Sequence, residues 1–156
     1  MNTIQQVVKQ LQGKLSPSTT LKQIPSILNP LPPYHKIENI ELTNDFKEKS
    51  QLNSNLYFKY EFFRNTNLIA YILVWNPNVK SLIHNHGDIG CFYKPLTTGL
   101  VEHRYTDMED YLHYVAKKDC CPTYTHFIND YMGLHSMENT NDFIAASIHI
   151  YENKED

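Results

Sequence analysis

The part of the chain after residue 55 consists of short β-forming stretches separated by turns, and this pattern restricts the fold most. The stretch 68–75 is apolar enough to be buried on both faces, and residues 143–151 alternate between two faces. Turn-forming sequences lie between such stretches, at 64–67, 76–78, 97–99 and 139–142. Short strands with frequent turns are typical of an antiparallel sandwich or a small barrel, so the sequence predicts a mainly β fold.

Composition excludes several classes of partner. The chain has 156 residues, is 41% hydrophobic and carries a net charge of −3 without a basic block, which argues against nucleic-acid binding. It contains no apolar run of about 20 residues that would span a bilayer and no signal-peptide pattern at its start. Its three cysteines include the adjacent Cys120 and Cys121, which are poorly placed to pair with each other. We therefore expect a cytoplasmic monomer with no nucleic-acid or membrane partner.

The first third of the chain has a different character. Apolar residues recur at helical spacing from residue 3 to residue 15, and shorter helices are indicated at 18–28 and 45–50. The expected organisation is one domain, residues 1–156, in which a helical N-terminal layer (1–53) packs on a β-barrel (54–151).

His84 and His86 are the first candidates for chemistry. They lie two residues apart in an extended stretch, and side chains at this spacing on a strand project from one face. Two neutral imidazoles on one face can bind Fe(II), Zn(II) or Ni(II). His135 is the candidate third ligand. Other histidines compete for that position, namely His35, His103, His113 and His126.

The last predicted strand carries a second informative pattern. Its apolar face contains Ile148 and Ile150, whereas its other face presents Ser147, His149 and Tyr151 in series. These side chains form either a solvated strand face or a hydrogen-bonded relay, in which serine fixes one nitrogen of the imidazole and tyrosine bonds the other.

Several segments resemble one known family. His84-x-His86 and the later Gly133-Leu-His135-x-x-x-Asn139 are similar to the two motifs of the cupin β-barrel, and no glutamate follows where many cupins have one. This combination resembles the thiol dioxygenases, in particular the cysteine dioxygenase family. That family also has a Ser-Leu-His-Leu-Tyr segment, which residues 147–151 match, and a cysteine at the position of Cys91.

The resemblance implies a function and a site. It implies a small jelly-roll cupin in which His84, His86 and His135 bind one Fe(II). The reaction would oxidise the thiol of L-cysteine to a sulfinate with O2, a step of cysteine catabolism. Tyr151 would be the catalytic hydroxyl, positioned by His149 and Ser147. Cys91 would form a thioether cross-link to Tyr151, and the alternative is that Cys91 only fills the barrel.

Two positions depart from the family pattern. Tyr57-x-Lys59 stands where the family has Tyr-x-Arg, so Tyr57 and Lys59 are the candidate carboxylate-binding residues. Lysine keeps the charge of arginine but lacks its planar fork. Asn85 replaces a common aspartate. These departures leave two alternatives open: a dioxygenase for another small thiol such as 3-mercaptopropionate, and a non-catalytic, metal-binding cupin sensor.

Overall fold

The structure is a computed structural model that describes residues 3–34, 36–37, 42–53, 56–84, 90–109, 111–129 and 133–154. Its helical elements are α1 (Thr3–Lys14), a 3-10 helix (Leu21–Gln23), α2 (Ile24–Leu28) and α3 (Asn44–Lys49). Its strands are β1 (Gln51–Asn53), β2 (Tyr57–Arg64), β3 (Leu68–Trp75), β4 (Val79–Lys80), β5 (Cys91–Pro95), β6 (Leu100–Met108), β7 (Tyr111–Asp119), β8 (His126–Ile128), β9 (Leu134–Asn139) and β10 (Ala145–Glu152).

The strands form two antiparallel sheets. One has six strands in the order β1-β2-β3-β10-β5-β8, and the other has four in the order β4-β9-β6-β7. The C-terminal strand β10 lies in the middle of the larger sheet, where it pairs with β3 on one side and β5 on the other. This central position explains why both of its faces are buried along most of its length.

One hydrophobic core packs the N-terminal helices against the larger sheet. The buried side of α1 presents Ile4, Val7 and Leu11, which match the spacing of one helix face. These residues belong to the same cluster as Ile148 and Ile150 of β10. Each fully buried side chain of this kind contributes about 1.5–3 kcal/mol to folding, so the helical layer is held mainly by burial.

A second core lies between the two sheets. It draws Trp75 and Tyr93 from the larger sheet and Leu100 and Met137 from the smaller one. Cys91 is part of this cluster and is fully buried. The inner core therefore contains several residues with polar atoms, which need hydrogen-bond partners there.

The predicted mainly β fold with short N-terminal helices is confirmed. The expected helix at residues 3–15 is α1, and the strand predicted at 68–75 is β3. The last strand begins at Ala145 rather than at Phe143, where the alternating pattern starts.

The predicted strand through His84 and His86 is wrong for the part that the structure describes. Residues 81–83 are not in a strand, and His84 forms only an isolated antiparallel bridge with His135. The exposed fraction of Leu82 is 74%, so little apolar burial at this residue helps to hold a strand in register. His86 and Asn85 lie outside the described residues.

In the described part of the chain, no helix combines the length and apolar character that a bilayer crossing requires.

Candidate metal and substrate site

His84 and His135 converge although they are 51 residues apart in sequence. Their Nε2 atoms lie 2.9 Å apart. The backbone explains this approach, because His84 and His135 exchange both N–H···O=C hydrogen bonds of an antiparallel bridge, at 2.9 and 3.0 Å. Two imidazole nitrogens about 2.1 Å from one metal and at right angles to each other would be about 3.0 Å apart. The observed separation fits two ligands of a single ion.

The other ring nitrogens determine which atoms are available for a metal. His84 Nδ1 lies 2.8 Å from the carbonyl oxygen of Leu82, which can only accept, so Nδ1 carries the hydrogen. His135 Nδ1 lies 3.4 Å from Glu102 Oε2, which is also an acceptor. In the neutral rings both Nε2 atoms therefore present lone pairs to each other. A shared cation relieves this repulsion, and the histidine pair fits a metal ion.

Electrostatics keep His84 neutral. Burial lowers the pKa of His84, and the neighbouring His135 and Lys59 lower the pKa further. A neutral imidazole is the form that binds a metal.

The described residues contain no group of three or more His, Cys, Asp and Glu side chains that could hold a metal ion. His86, the remaining member of the predicted ligand set His84, His86 and His135, lies outside the described residues, as does the competitor His35. The remaining competitors are elsewhere: His103 contacts Glu138 Oε1 at 2.8 Å, His126 contacts the carbonyl oxygen of Cys121 at 2.9 Å, and His113 is exposed on β7.

Glu102 is a buried carboxylate next to this pair. Its side chain is fully buried on β6, and it accepts hydrogen bonds from the hydroxyl of Tyr93 and from Nε of Arg104. Burial alone would raise the pKa of Glu102, but the interactions with His135, Tyr93 and Arg104 lower it to about 2. Glu102 is therefore an anion in the interior, and it faces the ring nitrogen of His135 that is turned away from His84.

Cys91 and Tyr151 are brought together as predicted. They are directly opposite in the pairing of β5 with β10, where side chains of opposite residues are about 5 Å apart, and their side chains interact. Burial raises the pKa of the Cys91 thiol to about 12, although Tyr151 and Lys59 partly offset this effect. Burial and the neighbouring Cys91 also raise the pKa of Tyr151. Both groups are protonated at neutral pH.

The predicted neighbours of Tyr151 form a buried hydrogen-bonded series. Trp75 Nε1 donates to Ser147 Oγ at 3.0 Å, and Ser147 Oγ lies 2.7 Å from His149 Nε2. Because the indole uses the serine as an acceptor, the serine hydrogen is available for His149, which favours the imidazole with its hydrogen on Nδ1. The ring of His149 is nearly parallel to that of Tyr151, at a centroid distance of 6.5 Å. Ser147 and His149 are buried, so the alternative of a solvated strand face is wrong.

A cavity of about 430 Å³ opens beside His84 and Tyr151, and Tyr57 and Lys59 line it. Lys59 Nζ lies 4.1 Å from the centre of the Tyr71 ring and 5.7 Å from that of Tyr151. Burial lowers the pKa of Lys59, whereas Cys91 and Glu61 oppose the shift. Lys59 and His84 therefore line the same cavity.

Arg64 is a second cation on β2, but its side chain is not directed at the cavity. Its guanidinium forms an exposed ion pair with Glu61, with Nη2 and Oε1 2.6 Å apart. It does not line the cavity.

Sequence reasoning missed Glu102, Tyr93 and Trp75. A signal existed for Glu102, which alternates with Leu100 and Arg104 on one face of a strand, because an acid between an apolar and a basic residue suggests a buried ion pair. The only tryptophan, at the end of an apolar strand, also implied an N–H in need of a buried acceptor. The ring of Tyr93 stacks between His149 and His126, at 5.5 and 5.1 Å, and no local pattern indicates this arrangement.

Comparison with known families and sequences gives a consistent result. The family model described as cysteine dioxygenase type I matches residues 31–154. Cysteine dioxygenase type 1 of Rattus norvegicus is 29% identical over 128 residues, which cover 74% of this chain and 64% of the relative. Cysteine dioxygenase type 1 of Bos taurus is 28% identical over 132 residues with the same coverage. The chain thus spans slightly less than two thirds of the length of these relatives.

Solved structures show a similar fold at low identity. Oxalate decarboxylase from Bacillus subtilis, in a structure at pH 4.6, aligns with a TM-score of 0.53 and 12% identity over 69% of this chain and 28% of that chain. A second structure of that enzyme, from work on its Mn(II) centres, aligns with a TM-score of 0.53 and 11% identity over 71% and 29%. At these identities the similarity concerns the fold alone.

Proposed function

Because the chain belongs to the cysteine dioxygenase type I family, we propose that it is a thiol dioxygenase that uses Fe(II) and O2 to oxidise the sulfur of L-cysteine to a sulfinate. In this reaction one thiol and one O2 give one sulfinic acid, and both oxygen atoms end on sulfur. The observation that carries the proposal is the distance of 2.9 Å between His84 Nε2 and His135 Nε2. His84 also lines a cavity that is lined by the positively charged side chain of Lys59.

The metal would be held by His84 and His135, with His86 as the third ligand. Bound Fe(II) would supply the site at which a thiolate and O2 meet and would lower the pKa of the bound thiol. The protein contributes neutral imidazoles, which leave the charge of the site for an anionic substrate. Cys91, which stands where many cupins have a glutamate, is protonated and adds no negative charge.

Lys59 would bind the carboxylate of the substrate. It lies on β2 next to Tyr57, and both line the cavity reached by His84. The ammonium group of Lys59 lies over the rings of Tyr71 and Tyr151, and these cation–π contacts limit the positions that its flexible side chain can take. The positive charge of Lys59 and a metal held by the histidines would together orient a short amino acid thiol at this cavity.

Tyr151 would be the catalytic hydroxyl. Its raised pKa keeps the phenol protonated at neutral pH, so it can donate a hydrogen bond to a substrate or oxygen atom at the site. His149, fixed by Ser147 and Trp75, would position the tyrosine ring. The adjacent Cys91 would form the thioether to Tyr151, a step that removes two hydrogen atoms and therefore needs O2 as the oxidant.

The exchange of the family arginine for Lys59 supports a second candidate substrate. An ammonium group binds a carboxylate as a point charge without two parallel hydrogen bonds, so it discriminates less between related small acids. A thiol such as 3-mercaptopropionate, which carries the carboxylate but no amine, is this alternative.

A panel of thiols with the iron-loaded protein tests these proposals. We expect O2 uptake with L-cysteine and formation of its sulfinate. Faster turnover with 3-mercaptopropionate would favour the alternative substrate. Iron binding without thiol-dependent O2 uptake would leave a non-catalytic metal-binding protein, and the dioxygenase proposal would be wrong.

A further inference from the structure

We propose that Glu102 is a positioning residue that orients His135 for metal binding and is itself fixed by Tyr93 and Arg104. This inference rests on the proposed function, because it assumes that His135 is a metal ligand. It assigns a role to a carboxylate that is neither a ligand nor a substrate contact in the scheme above.

The first step of the argument is geometric. Glu102 Oε2 lies 3.4 Å from His135 Nδ1, and His135 Nε2 is the atom that faces His84. A hydrogen on Nδ1 directed at the carboxylate leaves the lone pair on Nε2. Histidines that bind metals commonly donate their other ring N–H to a carboxylate or carbonyl, which fixes the tautomer and the ring orientation. The corresponding acceptor for His84 is the carbonyl oxygen of Leu82.

The second step concerns how Glu102 itself is held. Its two oxygens are used differently: Oε1 accepts from Nε of Arg104, whereas Oε2 accepts from the hydroxyl of Tyr93 and faces His135. Arg104 is directly opposite His135 in the pairing of β6 with β9. The carboxylate is therefore fixed from two sides in a fully buried position, and a buried charge with this many donors keeps one orientation.

The third step links Tyr93 to the rest of the site. The Tyr93 ring stacks on His149, the neighbour of Tyr151, and its hydroxyl binds Glu102. Tyr93 thus contacts both Glu102, which lies next to the proposed ligand His135, and His149, which would position Tyr151.

The protein contains a matched control for this arrangement. Glu138 on β9 contacts His103 Nε2 at 2.8 Å, so it is also a carboxylate paired with a histidine on the smaller sheet. His103 lies between Glu102 and Arg104 in sequence, and its other ring nitrogen contacts the hydroxyl of Tyr114 on β7 at 3.1 Å. This pair lies on the opposite face of β6 from Glu102 and does not reach His84.

The experiment compares Glu102→Gln, Tyr93→Phe and Glu138→Gln with the wild-type protein. Glutamine has nearly the shape of glutamate, but one of its two terminal groups becomes an N–H donor that must face either Arg104 or the donors at the other oxygen. The dissociation constant for Fe(II) alone is measured anaerobically by competition with a chelator. Urea unfolding measures the stability of each variant separately.

We expect Glu102→Gln to weaken Fe(II) binding by about 10- to 100-fold, the range that is typical when such a partner of a metal-bound histidine is lost. Tyr93→Phe should weaken binding less, and Glu138→Gln should leave it unchanged. With Fe(II) restored to saturation, kcat of Glu102→Gln should remain reduced while KM for the thiol stays near the wild-type value. A purely structural role would lower the unfolding free energy without changing these quantities.

Four results would overturn the inference. Wild-type Fe(II) affinity in folded Glu102→Gln does so alone, and so does an equal loss in Glu102→Gln and Glu138→Gln. If Glu102→Gln does not fold, Tyr93→Phe is used instead, and a wild-type affinity of that variant for Fe(II) would also overturn the inference. A wild-type protein that binds no Fe(II) overturns the proposed function as well, so the two failures are distinguishable.

Discussion

His84 and His135 bring their Nε2 atoms within 2.9 Å of each other, and the Nδ1 atom of each ring lies near an acceptor oxygen, at 2.8 Å for His84 and 3.4 Å for His135. This relationship makes metal binding the first property to test. His84→Ala removes one of the two converging nitrogens, so we expect the variant to lose stoichiometric iron after anaerobic reconstitution. Iron is quantified by atomic absorption on the desalted protein.

His103→Ala is the control for that experiment. It also deletes a histidine that contacts a carboxylate, but this side chain lies outside the site and should leave the iron content unchanged. Stoichiometric iron in His84→Ala would contradict the assignment.

Lys59→Ala tests the carboxylate site. The loss of a charged hydrogen-bond partner costs about 1.5–3 kcal/mol, which corresponds to a rise of about 10- to 100-fold in KM for thiols that carry a carboxylate. Cysteamine has no carboxylate, so its KM should hardly change. Initial rates of O2 uptake give both constants, and Lys117→Ala, which removes an exposed lysine of β7, is the control. Equal changes for both kinds of thiol would exclude Lys59 from this role.

Cys91→Ser tests the cross-link. A thioether between Cys91 and Tyr151 would give two bands on a denaturing gel, because the cross-linked chain stays more compact, and would lower the mass by two hydrogen atoms. We expect the doublet to collapse to one band in Cys91→Ser and to persist in Cys121→Ser, which changes a thiol outside the inner core. A single wild-type band of unmodified mass would show that the bond does not form.

The burial of Lys94 leads us to expect that the stability of the protein depends on pH. Lys94 is fully buried on β5, where Nζ donates to the carbonyl oxygen of Pro122 at 2.7 Å, and burial lowers its pKa from the ordinary value of 10.5. Between the lowered pKa and 10.5 the unfolded chain binds more protons than the folded one, so stability rises with pH in that window.

Lys94→Met removes this contribution. The unfolding free energy of the wild type minus that of Lys94→Met should therefore increase as the pH is raised from neutrality toward 10.5, as measured by urea unfolding at several pH values. Lys117→Met provides the comparison with an exposed lysine. A difference that is independent of pH would show that Lys94 does not titrate differently on folding.

The strands and α1 could be predicted because alternation and helical spacing are local properties. The segment at His84 could not, because its position depends on hydrogen bonds to the backbone of His135 far along the chain. Ser147, His149 and Tyr151 were identifiable from their spacing on a strand with one apolar face. Glu102 was not identified, since its significance depends on Tyr93, Arg104 and His135, which meet only after the two sheets pack together.

Strand β10 separates two kinds of evolutionary constraint within eight residues. Its isoleucines belong to the core beneath the helices, where exchange for another aliphatic residue costs about 0.5–1.5 kcal/mol of stability and leaves the chemistry untouched. Its other face offers no such freedom, because Ser147 and His149 have buried hydrogen-bond partners to satisfy. Odd and even positions of this strand can therefore accept substitutions at different rates during evolution. Positions that face the helices tolerate exchange between aliphatic residues, whereas positions on the inner face do not.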